Sequence, residues 1–120
     1  MRVFVYFNLH RKCWSIKCME GPMYGRIIGH ANQVLLEGVT FKVSEAGRQR
    51  VLREQVKNVH AGVLGFIKNP PWFNLPETEV TYNPYLYESF VTKSDLKPIS
   101  KARVVWMDSR RVFADLEGAK

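Results

Sequence analysis

The alternation of apolar and polar residues predicts that the chain begins with a β-hairpin. Apolar side chains recur at every second position on both sides of a polar turn at residues 8–12: Val3, Val5 and Phe7 before the turn, and Trp14, Ile16 and Cys18 after it. Successive side chains of a strand point to opposite faces, so a period of two places these residues on one face of the hairpin. That face is expected to be buried.

Two further strands are predicted before residue 45. Glycine or proline at positions 21, 22 and 25 interrupts the chain, and residues 26–30 are predicted to form a strand after this break. In residues 39–43, Val39, Phe41 and Val43 alternate with polar side chains, which predicts a further strand.

Residues 45–55 are predicted to form a short helix. Ser44 can cap its N-terminus, and Glu45 lies in the first turn, where a negative charge is favourable. Three residues supply an apolar stripe: Val51, Leu52 and Val56. Gly47 lowers the helix propensity, so a strand–turn–strand arrangement of the same residues is the alternative.

Residues 59–67, with the sequence VHAGVLGFI, are predicted to form a buried strand. Gly62 and Gly65 indicate points where another backbone or a ligand comes close to this strand. Pro70 and Pro71 follow, and they indicate a loop between the two halves of the chain, because proline has no amide N–H for a sheet ladder.

The C-terminal half is predicted to contain further strands. The segment TEVTYNPYLYESFV includes two aromatic-rich extended pieces around Asn83-Pro84, and a polar stretch follows at residues 92–100. Residues 103–107 and 111–115 flank Asp108-Ser109-Arg110, which is typical of a hairpin turn, with Trp106 and Phe113 as apolar anchors.

Together these elements predict a single α+β domain over residues 1–120, built mostly of antiparallel β-sheet with one short basic helix. A chain of 120 residues can bury one core but not two independent ones. Apolar residues make up 46% and charged residues 24%, which is close to the average of soluble globular proteins and argues against extensive disorder.

The net charge of +7 indicates an anionic partner such as nucleic acid, a nucleotide or an acidic protein surface. Residues 1–60 contain ten Lys and Arg against four Asp and Glu, whereas residues 61–120 contain eight against seven. The basic face therefore belongs mainly to the N-terminal half. No segment has the pattern of a signal peptide or the length of a membrane span, so a cytoplasmic protein with reduced thiols at Cys13 and Cys18 is expected.

Residues 43–65 contain the densest group of hydrogen-bond donors. Four cationic side chains in this segment are candidates for gripping phosphate oxygens: Arg48, Arg50, Arg53 and Lys57. On the predicted helix, Arg50, Arg53 and Lys57 would lie three and four residues apart on one face. The alternative is an ordinary solvated face, since charge-rich segments usually form one.

Polar and aromatic residues extend this candidate site. Asn58 and His60 could contact a base or ribose beside a phosphate held by Lys57, although His60 could equally be a core histidine bonded to a backbone carbonyl. Four aromatic residues could stack on a base: Trp72, Tyr82, Tyr85 and Tyr87. The alternative for each of them is a place in the core.

Metal binding and catalysis have less support in the sequence. Four side chains of types that bind zinc occur at irregular spacing: His10, Cys13, Cys18 and His30. The chain contains no Walker loop, GxSxG, GxGxxG, HExxH or deaminase motif, and no spacing rule favours a His10/His60 acid–base pair. A non-enzymatic protein without a cofactor is therefore expected.

Three segments carry a resemblance that covers most of the chain: VFVYFNLHRKCWSIK, FKVSEAGRQRVLREQVKNVHAGVLG and YNPYLYESFV. Together they resemble a small, widespread family of tailed-bacteriophage and prophage proteins. The resemblance implies a protein made in the cytoplasm of an infected bacterial host and expendable for virion assembly. It carries no activity over to individual residues.

The expected function is the binding of a phosphorylated nucleotide without turnover. Small basic phage proteins of this kind resemble counter-defence factors, some of which sequester host signalling nucleotides in a positively charged pocket. The expected ligand-binding residues are Arg48, Arg50, Arg53, Lys57, Asn58, His60, Tyr82, Tyr85 and Tyr87. A DNA- or RNA-binding accessory protein, or a protein-interaction module that blocks a host factor, is the alternative, and a homo-oligomer is compatible with each.

Overall fold

A computed structural model describes residues 1–69 and 75–115 of the chain. Within these residues the elements are β1 (Arg2–Asn8), β2 (Cys13–Cys18), a 3₁₀ turn (Gly21–Met23), β3 (Ile27–Ala31), β4 (Gln33–Val43), α1 (Glu45–Glu54), β5 (Ala61–Ile67), β6 (Thr78–Thr81), β7 (Phe90–Thr92), β8 (Pro98–Ile99), β9 (Lys101–Asp108) and β10 (Arg111–Asp115). Every strand pairing is antiparallel. The predicted fold class, a mostly antiparallel sheet with one short helix, is confirmed.

The strands form one sheet in the order β3-β2-β1-β5-β4-β9-β10-β6-β7-β8. The sheet is strongly curved, as contacts between side chains of distant strands show. The guanidinium carbon of Arg110 lies 4.8 Å from the ring centre of Phe7 in β1, although three strands separate β1 from β10. Phe41 in β4 and Phe90 in β7 have ring centres 5.0 Å apart. The core lies on the inner side of this curve.

A β-bulge in β4 contributes to the curvature. The register between β4 and β5 shifts between Glu37 and Thr40, so that Gly38 and Val39 together oppose Gly65. Gly38 has a φ of +62°, a left-handed conformation that glycine adopts without steric cost. A bulge of this kind bends its strand and increases the local twist.

The opening hairpin forms as predicted. Val3 and Val5 are completely buried, and Val5 lies opposite Ile16 in the pairing of β1 with β2. Phe7 lies opposite Trp14, and the two rings pack edge to face with centres 5.2 Å apart. The inward residues of this hairpin join a cluster that continues through β5, β4 and β9, so the alternation identified one wall of the core correctly.

Strand β4 begins earlier than predicted, at residue 33 instead of 39. Val34, Leu35 and Leu36 are buried in succession, so this part of the strand shows no alternation that could reveal it. Leu35 lies opposite Trp106 of β9, on the face that a half-buried strand would expose to solvent. Burial on both faces removes the two-residue period.

Strand β5 is buried only at its centre, since Val59 precedes it in an exposed segment and its last two residues are exposed. The two glycines mark close approaches of backbone, one of the alternatives that the sequence left open. A Cβ built at Gly62 would lie 2.7 Å from the carbonyl oxygen of Val5, and one built at Gly65 would lie 3.1 Å from that of Glu37.

The predicted helix forms as α1, and Ser44 caps it by accepting a hydrogen bond from the Gly47 N–H at 3.2 Å. The expected face of Arg50, Arg53 and Lys57 does not form. The helix ends three positions before Lys57, which lies in the extended segment that leads to β5.

The C-terminal hairpin also forms as predicted. Asp108 pairs with Arg111, which leaves Ser109 and Arg110 as a two-residue turn, and Ser109 has a φ of +56°. The loop predicted at Pro70 and Pro71, and the candidate stacking residue Trp72, lie outside the described residues. No helix in residues 1–69 and 75–115 is long and apolar enough to cross a membrane.

Candidate functional site

Arg48 joins α1 to the turn that follows β6. Its Nε lies 3.0 Å from each of two backbone carbonyl oxygens, those of Pro84 and Tyr87, and shares its N–H between them. Its Nη1 lies 2.9 Å from Oε1 of Glu45, and the side chain is only 11% exposed. The contacts of this guanidinium are therefore made within the protein, and they hold the 83–87 turn against the helix.

Replacing Arg48 with alanine is expected to lower the free energy of unfolding by about 2–3 kcal/mol, because two backbone carbonyls lose a charged donor. Urea unfolding followed by circular dichroism measures the change. Arg50→Ala on the same helix is the control, since its ion pair with Glu54 is exposed and exposed pairs contribute little. Equal losses in the two variants would contradict an anchoring role for Arg48.

Gly47 brings α1 against the start of β5. A Cβ built at Gly47 would lie 2.6 Å from the Cβ of His60, so only glycine allows the helix this close. Close packing against His60 therefore explains a glycine that is unfavourable for the helix.

In the first turn of α1, a hydrogen bond from Gln49, together with one from Arg48, holds the pKa of Glu45 below its ordinary value.

Arg50 and Arg53 lie on the solvent side of α1. Both approach Oε2 of Glu54, at 3.2 Å from Nε of Arg50 and 3.4 Å from Nη2 of Arg53. Their side chains are 59% and 69% exposed. These two residues form a solvated face with a shared carboxylate.

A groove of about 990 Å³ lies where the curved sheet brings distant segments together. Four parts of the chain line it: residues 6–10 with Trp14, residues 57–61, residues 79–85 with Phe90, and Arg110 with Val112. Its walls combine aromatic rings with cationic and hydrogen-bonding groups. The Nε1 of Trp14 is buried and has no hydrogen-bond partner among the described residues.

His60 and Tyr82 form a hydrogen-bonded pair in this groove. Nε2 of His60 lies 2.7 Å from the Tyr82 hydroxyl oxygen, and Nδ1 lies 2.9 Å from the backbone carbonyl oxygen of Asn58. The Tyr82 ring stacks on Phe90 with centres 5.2 Å apart. Burial raises the pKa of Tyr82, so the phenol remains protonated at neutral pH.

Lys57 and Arg110 are groove cations without a carboxylate partner in residues 1–69 and 75–115. The groove also contains the acid Glu79, whose charge is balanced by Arg111 at 2.8 Å and Lys93 at 3.4 Å. The hydrogen bond from Arg111 holds the pKa of Glu79 below its ordinary value. The groove therefore offers positive charge that no carboxylate of the described residues neutralises.

The structure places some of the ligand-binding residues predicted from the sequence in the groove and others outside it. Five of them line the groove: Lys57, Asn58, His60, Tyr82 and Tyr85. Four do not: Arg48, Arg50, Arg53 and Tyr87. The candidate site is thus centred on the segment after α1 and on the 79–85 segment, and the helix supports it from behind.

The sequence did not point to Arg110, Tyr6, Phe7 and Trp14 as site residues. Phe7 and Trp14 were identified as hairpin residues, and Arg110 as part of a hairpin turn. The sequence did not show that the end of the β1–β2 hairpin and the β9–β10 turn meet across the sheet. His10, considered only for metal binding or acid–base chemistry, also lines the groove.

The four candidate metal ligands do not assemble. In the described part of the chain, no three His, Cys, Asp or Glu side chains lie close enough together to hold a metal ion. His30 instead lies with Nδ1 3.0 Å from the hydroxyl of buried Ser15, and the Cys18 thiol donates to the carbonyl oxygen of Glu20 at 3.1 Å.

Comparison with known proteins places the chain in a phage family. The family model described as Mycobacterium phage L5 gene 82 protein matches residues 1–115. The chain belongs to this family. The gene 82 protein of Mycobacterium phage L5 is 37% identical to it over 120 residues, which cover 95% of each chain. No solved structure matches the chain.

Membership of the gene 82 family confirms the predicted phage origin, and the chain is a phage accessory protein. The match to the gene 82 family includes every segment that lines the groove, from Tyr6 to Val112.

Proposed function

We propose that this phage accessory protein binds a phosphorylated nucleotide in the groove and holds it without turnover in the cytoplasm of the infected host. The observation that carries the proposal is the position of Lys57 and Arg110, two cations without a carboxylate partner in the described residues, in one groove with aromatic walls. Phosphate oxygens are the natural partners of such groups, since charge-assisted hydrogen bonds are the strong ones.

The aromatic side chains that line the groove favour a ligand that carries a base. Tyr85 lines the groove and is 58% exposed, so its ring is free to stack on a base, while Phe7 and Tyr82 are held by packing. Stacking contributes about 1–3 kcal/mol per base. The volume of about 990 Å³ lies at the upper end of the usual range for small-molecule sites, which favours a ligand larger than a mononucleotide.

The biological role that fits such binding is sequestration. A protein that holds a host signalling nucleotide without altering it lowers the free concentration of that signal. We therefore extend the proposal to a counter-defence sponge. Recovery of the ligand unchanged, measured by mass spectrometry after incubation and release, is the expected result for this part of the proposal, and a converted product would contradict it.

A thermal-shift panel of cyclic dinucleotides, ADP-ribose derivatives and nucleoside triphosphates tests the binding. A ligand present at 100 times its Kd stabilises the folded state by about 2.7 kcal/mol, which corresponds to a rise in Tm of about 10 °C for a domain of this size. No change in Tm with any compound, for protein that is folded by circular dichroism, would overturn the proposal.

The same samples distinguish a nucleotide site from a nucleic-acid surface. Binding to long single-stranded or duplex DNA or RNA by contacts with the phosphate backbone weakens linearly on a log–log plot against salt concentration, with a slope set by the number of phosphates contacted. A groove that binds one small nucleotide is expected to show a slope of small magnitude. A steep slope with long strands and no response to small nucleotides would favour the nucleic-acid alternative.

A further inference from the structure

The hydrogen bonds of His60 define which of its nitrogens carries a proton. The carbonyl oxygen of Asn58, 2.9 Å from Nδ1, can only accept, so Nδ1 carries the hydrogen. In the neutral imidazole Nε2 is then the acceptor, and the Tyr82 hydroxyl, 2.7 Å away, donates to it.

This arrangement controls what Tyr82 offers to the groove. A phenol has one hydrogen to donate, and neutral His60 takes it, so the hydroxyl presents only lone pairs to a ligand. When His60 gains a proton, Nε2 donates to the Tyr82 oxygen, and the phenolic hydrogen becomes free to donate to the ligand. One proton thus converts Tyr82 from an acceptor into a donor and adds a positive charge beside it.

Several charged groups lie near this pair. From α1, Glu45 interacts electrostatically with His60, and Arg48 with Tyr82. Lys57 lies in the segment before His60, and His10 lines the same groove from the β1–β2 turn. Glu45, whose pKa is lowered, is anionic at neutral pH and favours the imidazolium, whereas the two permanent cations oppose it. An anion bound in the groove would add to the stabilisation that Glu45 gives the imidazolium.

We infer that an anionic group of the ligand binds at the Tyr82 hydroxyl, in the groove that Lys57 also lines, and that His60 takes up a proton when it binds. The inference rests on the proposed function and specifies one part of it: the anion, and not the base, contacts this pair. Linkage is reciprocal, so a ligand that favours protonated His60 binds more tightly where protons are abundant. Affinity is therefore expected to be highest at low pH and to fall as pH rises.

Isothermal titration from pH 6 to pH 8 with cyclic di-AMP and with ADP-ribose tests the inference. Neither compound has a phosphomonoester, whose second ionisation near pH 6 would confuse the measurement. The affinity of the wild-type protein is expected to fall by up to about tenfold per pH unit at the alkaline end, with uptake of about one proton per ligand there. Comparing heats in two buffers of different ionisation enthalpy measures that proton.

Three variants separate a proton-linked role from a structural one. His60→Gln and Tyr82→Phe are expected to bind with affinities that no longer vary with pH, since the first cannot gain a proton and the second lacks the hydroxyl. His30→Gln is the control, because His30 does not line the groove and its Nδ1 contacts the Ser15 hydroxyl, so this variant is expected to retain the wild-type pH profile. Retention of that profile in His60→Gln, or its loss in His30→Gln, would overturn the inference.

Nitrogen-15 NMR of the histidine rings gives a result that does not depend on any ligand. In the free protein, neutral His60 is expected to carry its hydrogen on Nδ1, and a hydrogen on Nε2 would overturn the inference. Binding of the two probes that is independent of pH would overturn the inference and leave the proposed function intact. Failure of both probes to bind at any pH would remove the inference, and failure of the wider thermal panel would remove the proposed function as well.

Discussion

Replacing Lys57 and Arg110 together with alanine is expected to weaken nucleotide binding by at least about 100-fold. A hydrogen bond to a charged group contributes about 1.5–3 kcal/mol, and each factor of ten in Kd corresponds to about 1.4 kcal/mol. Both side chains line the groove, and Arg110 is held above the Phe7 ring, with its guanidinium carbon 4.8 Å from the ring centre. Isothermal titration with cyclic di-AMP and ADP-ribose measures the loss.

The matched control is the double variant Arg50→Ala/Arg53→Ala. It removes the same two units of charge, but from the exposed face of α1, where both side chains share Glu54. Its affinity for the same ligands is expected to change by less than about threefold, because exposed charges act only through a screened long-range field. Equal losses in the two double variants would show that net charge, and not the groove, governs binding.

Replacing Gly62 with alanine is expected to destabilise the protein by about 3 kcal/mol and to lower its Tm by about 10 °C. A Cβ at this position would lie 2.7 Å from the carbonyl oxygen of Val5 and would also overlap the Phe4 ring. A carbonyl oxygen in the β1–β5 ladder cannot move without breaking hydrogen bonds of the sheet, and overpacking in a rigid core costs about 1–3 kcal/mol or more. Thermal unfolding followed by circular dichroism measures the change.

Gly29→Ala is the control for this substitution. Gly29 also lies in a strand, at the edge of the sheet, but a Cβ there meets no atom within 4 Å, and the backbone does not require a positive φ. Its Tm is expected to stay within about 2 °C of the wild-type value or to rise, because alanine restricts the unfolded chain more than glycine does. A stable Gly62→Ala variant would show that β1 and β5 can separate more easily than the close contact indicates.

Local signals in the sequence correctly predicted the elements whose causes are local. The N-cap of α1 is a hydrogen bond between Ser44 and Gly47, three residues apart, and the opening hairpin follows from alternation on two adjacent segments. The turn of Ser109 and Arg110 likewise needs only its own residues. Prediction failed at the start of β4, where burial of both faces removes the alternation. It also failed for the helix face that was expected to include Lys57, because α1 ends at Glu54.

The sequence by itself determined the sign of the surface charge, the antiparallel strands, the capped helix and the family, because each of these depends on residue type or on neighbours within a few positions. Only the tertiary structure decided which cations remain available to bind an anionic ligand. Arg48 binds Glu45 and two carbonyls of the 83–87 turn, and Arg50 and Arg53 both contact Glu54. Lys57 and Arg110 contact no carboxylate of the described residues. The curvature of the sheet brings β1 to Arg110 across three intervening strands, and no local pattern encodes that distance.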